Sequence, residues 1–132
     1  MTNYLLDSNV VIDLLRGNEN VLAHYRSELN CGNKIFICPI VYYEIVRGFK
    51  ILDGAKKLKT FLEFYKRWDN IPLSDDAMEK AAEIYVNLRR GFQIEDNDIF
   101  IAAVAIVNGC TLITANDKYF SRVEGLKFDN WR

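Results

Sequence analysis

YLLDSNVVID, residues 4–13, is the stretch whose reading decides the fold. Tyr4, Leu5 and Leu6 form a short apolar run suited to a buried strand, and the run ends abruptly in an acid, Asp7. Ser8 and Asn9 follow, and then Val10, Val11, Leu14 and Leu15 resume the apolar pattern at helical spacing. An ionised carboxylate where a core strand meets a helix is costly to desolvate unless something pairs with it. The rest of the chain must supply that partner.

The chain has 132 residues, the length of one domain, and half of them are hydrophobic. Eight Phe, seven Tyr and two Trp give enough bulk for a core without covalent staples. A net charge of -1 does not by itself announce a nucleic-acid binder, so any such role must come from local patches. Cys31, Cys38 and Cys110 are odd in number and lack CxxC spacing. They read as free, buried thiols in a reducing, cytoplasmic protein rather than as a disulfide or zinc framework. The approach to Asp7 is too short for a signal peptide, and no apolar run nears the roughly 18–20 residues that span a bilayer.

The elements alternate. Asn18 reads as the cap of a second helix carrying Val21, Leu22, Tyr25 and Leu29, with Gly32 beyond its end. Residues 34–38, KIFIC, read as a second strand, and Pro39 suits the first turn of the next helix, which carries Glu44 among Ile40, Val41, Ile45 and Phe49. Residues 55–68 form an amphipathic helix with a basic outer face, and 71–73 a short strand near a sheet edge because of Pro72. Ser74 caps a helix that opens with Asp75 and Asp76 and ends at Arg89-Arg90-Gly91. After Phe92-Gln93-Ile94 comes the densest acidic cluster, residues 95–98, EDND, which opens an apolar helix reaching Val107, with Asp96 as its cap. Residues 111–114 form a strand, 115–117 a polar turn, and 126–128 a last short strand. Strands separated by helices imply crossover connections, hence an α/β/α sandwich around a short, mainly parallel sheet. In such sheets ligands bind beyond the carboxyl ends of the strands, where the strand order reverses.

The acids fall where that rule matters. Asp7 follows the first strand, Glu44 lies one helical turn beyond the second, Asp98 opens the apolar helix, and Asp117 follows the strand at 111–114. Four carboxylates brought to one sheet edge can coexist only if protons or cations offset their repulsion, and ligands made only of oxygen favour Mg²⁺ or Mn²⁺. Such an ion activates water and stabilises phosphoryl transfer, and the N-terminus of the Asp98 helix favours a phosphate. Elimination narrows the field further. The single histidine, His24, rules out a two-histidine ribonuclease, and nothing places it beside a nucleophile. Neither GxGxxG nor GxxxxGK[ST] occurs. A phosphoacceptor receiver domain would need an adjacent acidic pair at the first strand, which Asp7-Ser8-Asn9 does not provide.

LLDSNVVIDLLRG at the start, YYEIVRG at 42–48, DNDIFIAAVAIVNGCTLITAND at 96–117 and GLKFDNW near residue 131 together resemble the PIN domain family, and within it the VapC-type toxin ribonucleases of toxin–antitoxin modules. The resemblance spans nearly the whole chain, 1–132, as one Rossmann-like domain. It implies RNA cleavage at a Mg²⁺ or Mn²⁺ site whose three main acids carry over to Asp7, Glu44 and Asp98. The fourth position departs from the common pattern: where many relatives have an acid two residues after the threonine matching Thr114, this chain has Asn116. Asn116 and the neighbouring Asp117 therefore compete for it.

The resemblance also implies a homodimer, a VapB-type antitoxin that blocks the site, and RNA as substrate, with the GLKFDNW ending favouring tRNA. The alternative is a catalytically silent PIN-like module that binds RNA or protein. Ser8, Asn9 and Asp96 stand as supports of the acid site, against plain turn-forming or capping roles. Arg16, Arg47, Lys50, Lys56, Lys57 and Lys59, with Arg89 and Arg90, are candidates for gripping the RNA backbone, against a solvated basic face. Phe61, Tyr65 and Trp68 read as core or subunit interface, and His24 as an ordinary surface or packing residue.

Overall fold

A computed structural model describes residues 1–88 and 94–132. Arg89, Arg90 and the Phe92-Gln93 segment lie outside the described residues. Among those described, the elements run β1 (Asn3–Leu6), α1 (Ser8–Arg16), α2 (Glu19–Asn30), β2 (Lys34–Ile37), α3 (Pro39–Ile51), α4 (Ala55–Tyr65), β3 (Asp69–Asn70), α5 (Asp75–Leu88), α6 (Asp96–Val107), β4 (Thr111–Ile113), α7 (Asp117–Phe120) and β5 (Phe128–Asp129). The strands form one parallel sheet in the order β3-β2-β1-β4-β5, with helices flanking it as an α/β/α sandwich.

β1 holds the centre because both of its faces are covered. Leu5 and Leu6 are wholly buried, as are Leu112 and Ile113 beside them in β4 and Ile37 in β2. This is the uninterrupted apolar reading that buried parallel strands show. The register sets Leu5 opposite Phe36 on one side and Leu112 on the other. The chain leaves β1 for β2 in one direction and reaches β4 only much later in the other. The strand order therefore reverses between β1 and β4, and the crevice beyond their carboxyl ends is where such a fold presents a ligand site.

Local chemistry accounts for most of the boundaries. Gly17 ends α1 with φ of 76°, a left-handed conformation that favours glycine, and its N–H reaches back to the carbonyls of Asp13 and Leu14. Asn18 caps α2 through a 3.1 Å bond from Val21 N–H to its side-chain oxygen, and Ser74 accepts the N–H of Ala77 at 3.1 Å. α6 is apolar on nearly every face and buries Ile99 and every residue from Ile101 to Ala105, as a helix packed on all sides must. α5 packs against it, and α1 packs against α2, α3 and α4.

Several sequence expectations shift. The edge strand is Asp69–Asn70, not 71–73: Ile71 N–H still bonds the Ile37 carbonyl at 2.9 Å, but Pro72 has no N–H to extend the ladder. The helix expected over 55–68 stops at Tyr65; Trp68 nonetheless remains buried, and its indole N–H donates to the Tyr25 hydroxyl at 2.9 Å. The last strand moves to Phe128–Asp129, and the polar turn after β4 leads into the short helix α7. Cys38 and Cys110 are buried free thiols, as expected, whereas Cys31 is exposed at the C-cap of α2. Leu29, placed on the inner face of α2 by spacing, is 43% exposed because the helix ends before that face closes on the sheet.

One long-range clasp had no local signal. Trp131 is buried against Tyr4, edge to face with ring centroids 5.4 Å apart, and His24 stacks on it at 6.0 Å. Next to it, Arg132 forks onto the buried Asp13 of α1, with Nε donating at 2.7 Å and Nη2 at 3.2 Å. A buried carboxylate satisfied by a bidentate guanidinium ties the end of the sheet to the helix that follows Asp7.

Candidate active site

The site forms where β1 and β4 both end. Asp7 occupies the N-cap of α1 in extended conformation and is buried. Its own N–H donates to the Ile113 carbonyl at 2.9 Å, which extends the pairing of the two central strands by one bond. Its carboxylate accepts three hydrogen bonds. Oδ1 takes the Ser8 N–H at 2.8 Å, while Oδ2 takes the Thr114 hydroxyl at 2.8 Å and the Asn9 side-chain amide at 3.3 Å. The helix-cap role and the site role are therefore compatible, because one carboxylate fills both.

Around Asp7 the turns are cross-tied. Thr114 is wholly buried, just past the end of β4, and its Oγ1 accepts the Asn116 N–H at 3.0 Å. Asn9 Oδ1 accepts the Ala115 N–H at 3.1 Å. Ser8 Oγ donates to Glu44 Oε1 at 2.6 Å, a short charge-assisted bond across to α3. Ser8 and Asn9 thus contact the acid cluster directly. Thr114, expected only as a strand residue, makes the buried bond to Asp7; its sole sequence signal is its place at the carboxyl end of β4.

The electrostatics join Asp98 to the pair. Burial, then the nearby charges of Asp7, Glu44 and Glu95, push the Asp98 carboxyl up from 3.8 to about 6. Asp7 is also raised by burial and by the charge of Glu44, while bonds from Thr114, Ser8 and Asn9 pull the other way. Among the described residues no Lys or Arg forms an ion pair with any of the three acids, the ion pairs being Lys80–Glu83 and Arg132–Asp13. Asp7 at the N-cap of α1, Glu44 in α3 and Asp98 in α6 lie near enough for their charges to act on one another, and among the described residues none of them is ion-paired to a Lys or Arg. As a donor set this suits an oxygen-preferring divalent ion. The side chains do not stand as a finished cage, since no group of three or more metal-ligating residues is arranged to hold an ion among the described residues.

The remaining candidates separate. Asp117 is exposed at the start of α7 and is not among the charges that raise Asp7 or Asp98. Asn116 is half-buried and tied through its N–H to Thr114. Asp96 is not the cap of α6: Glu95 stands there, with no side-chain capping bond, and Asp96 is the exposed first residue of the helix. The boundary slips by one residue because an acid is acceptable at either position of a first turn.

A groove of about 760 Å³ is lined by Glu44, but not by Asp7 or Asp98. Ser8 and Asn9 line it as well, Ile12, Ile45 and Phe49 contribute apolar surface, and Arg16, Lys56 and Lys57 share the lining with Asp53. Lys50 and Lys59 are exposed and do not line this groove, and the Arg47 guanidinium lies over the exposed Tyr43 ring, 4.9 Å from its centroid.

The Asp98 shift fixes a pH dependence. Its proton is held more tightly in the folded chain than in the unfolded one, so this group favours folding in acid. That contribution is complete below about pH 4 and is lost as the pH rises through about 6. In metal-free protein, Asp98→Asn is expected to raise stability at pH 7 by about 1 kcal/mol, allowing for screening at a half-buried group, and to change little at pH 4. Urea unfolding at the two pH values reads this directly; an equal effect at both contradicts it.

A parallel α/β sandwich with acids gathered at the carboxyl ends of its central strands defines the class to which PIN domains belong. The PIN domain model matches residues 4–126, so the chain belongs to that family. Within it, the chain groups with the VapC ribonucleases. It is 30% identical to Ribonuclease VapC1 of Rickettsia felis over 93% of this chain and 92% of the relative. It is 27% identical to the tRNA(fMet)-specific endonuclease VapC of Shigella flexneri, covering 99% of both. The structure superposes on a chain of the VapBC2 complex of Rickettsia felis, bound to a promoter DNA fragment, with a TM-score of 0.90 at 25% identity, covering 99% of this chain and 100% of that one. Among the described residues no helix is long and apolar enough to cross a membrane.

Proposed function

We propose that the chain is a metal-dependent endoribonuclease toxin that cleaves tRNA and is restrained by a VapB-type antitoxin. The observation that carries this reading is the acid cluster beyond the β1 and β4 ends, whose member Glu44 also lines a groove with Arg16, Lys56 and Lys57. Asp7, Asp98 and Glu44 would hold Mg²⁺ or Mn²⁺, with Asn116 or Asp117 in the fourth position. When bound, such an ion lowers the pKa of water and offsets charge on the scissile phosphate.

The chain's own groups do the rest. Ser8 holds Glu44 through Oε1, leaving Oε2 to orient the attacking water or take its proton. Arg16, Lys56 and Lys57 draw the RNA backbone along the groove against the repulsion of the acids. The tRNA preference rests on the likeness to the tRNA(fMet)-specific endonuclease of Shigella flexneri, and the antitoxin on the VapBC complexes that share the fold. The apolar lining of the groove, with Ile12, Leu15, Ile45 and Phe49, suits the apolar face of an amphipathic antitoxin segment.

The test is incubation of the purified protein with total tRNA. Discrete cleavage is expected with Mg²⁺ or Mn²⁺ and none with EDTA. Cleavage that persists unchanged in EDTA removes the metal from the proposal, and metal binding without any RNA turnover replaces the enzyme with a binding module.

A further inference from the structure

The Asp7 carboxylate offers about four lone-pair positions, two on each oxygen. Oδ2 has both filled: the Thr114 hydroxyl donates at 2.8 Å and the Asn9 amide at 3.3 Å. Oδ1 has one filled, by the Ser8 N–H at 2.8 Å. A single position is left, and it lies on Oδ1. The occupants of Oδ2 are themselves held in place. Thr114 is wholly buried and its oxygen accepts the Asn116 N–H, so the group available to its proton is the Asp7 carboxylate, which can only accept. Asn9 is oriented by the Ala115 N–H on its carbonyl oxygen, which leaves its NH₂ facing Asp7. Asn9 cannot turn its amide away without abandoning its bond from Ala115, and the Thr114 oxygen is held within reach of Asp7 by the Asn116 N–H.

From this network we infer that Asp7 is a one-point ligand, binding through Oδ1 alone, and that Thr114 and Asn9 are the positioning residues that make it so. Chelation of one ion by both oxygens is closed, and so is a pair of ions bridged through Oδ1 and Oδ2. The site takes one divalent ion at Asp7, with the remaining protein ligands coming from Asp98 and Glu44. The inference rests on the proposed metal site and adds to it the number of ions and the atom that binds.

Mn²⁺ titration by calorimetry, without RNA, tests both levels separately. Wild type is expected to bind one Mn²⁺ per chain, and Asp7→Asn to lose it. Thr114→Val, nearly the same shape without the hydroxyl, is expected to weaken binding about tenfold, as loss of a ligand-orienting bond does. Thr114→Ser restores binding to within about threefold of wild type, which a purely space-filling role would not require. Should Thr114→Val fail to fold, Asn9→Ala removes the other Oδ2 donor from a half-buried position and is expected to weaken binding severalfold. Two ions per chain, both lost in Asp7→Asn, overturn the one-point assignment while leaving the metal site standing. So does wild-type affinity in Thr114→Val, or failure of Thr114→Ser to recover. No Mn²⁺ binding by wild type overturns the metal site itself, and this inference with it.

Discussion

Asp98→Asn is expected to lower RNA cleavage by on the order of a thousandfold or more while leaving the fold intact, about 4 kcal/mol of lost transition-state stabilisation. The substitution keeps the side chain's shape and removes its charge. Asp98 is the sharper probe of the cluster, because Asp7→Asn disturbs structure as well as chemistry. An amide at position 7 must turn its NH₂ either towards the Ser8 N–H or towards the Thr114 and Asn9 donors, so a bond that caps α1 or spans to β4 is lost. Asp7→Asn should therefore be equally inactive and less stable. Asp98→Asn should be inactive and, at pH 7 without metal, more stable, since it removes a carboxylate pushed up to about 6 by burial and by its neighbours. Inactivity coupled to a gain in stability separates a functional acid from a structural one. Near-normal cleavage by Asp98→Asn under Mg²⁺ or Mn²⁺ would end the assignment.

Trp131→Ala is expected to cost about 3–5 kcal/mol of stability, the range for emptying a large aromatic site in a core. Trp131 is 2% exposed, packs edge-on against Tyr4 of β1, and carries His24 of α2 on its face. The cavity would open beside the central strand, and the neighbouring Arg132 would lose the packing that positions its fork on Asp13. Guanidinium unfolding with a fluorescence-independent probe such as far-ultraviolet circular dichroism measures the loss. A change below about 1 kcal/mol would mean that the segment is not part of the cooperative core.

The two results bear on what could be read in advance. Asp7, Glu44 and Asp98 were legible because each breaks a local rule: a charge directly after a buried strand, an acid inside an apolar helical face, an acid beginning a helix with no polar side. Such violations persist only where something beyond packing is gained. The alternation of strands and helices was legible for the opposite reason, since periodicity and turn residues agree along nearly the whole chain.

Thr114 gave no such signal. A threonine at a strand end is unremarkable until the partner across the sheet is known, and that partner lies 107 positions away. Asp13 is similar: at helical spacing it resembles a solvated residue, and its burial makes sense only with Arg132 folded over it. Boundaries at 69–73 and 95–98 slipped because neighbouring residues satisfy the local rule almost equally, and long-range pairing chooses between them.

By itself, then, the sequence determined the layered α/β architecture and the central place of YLLDSNVVID, and it singled out Asp7, Glu44 and Asp98 as candidates, because hydrophobic period and misplaced charge are properties of neighbouring residues. Only the tertiary structure decided how those acids are held. The strand order put β4 beside β1, and so placed Thr114 against Asp7 and Ala115 against Asn9. Hydrogen bonds act over about 3 Å, and no pattern along the chain reports which distant groups will come that close.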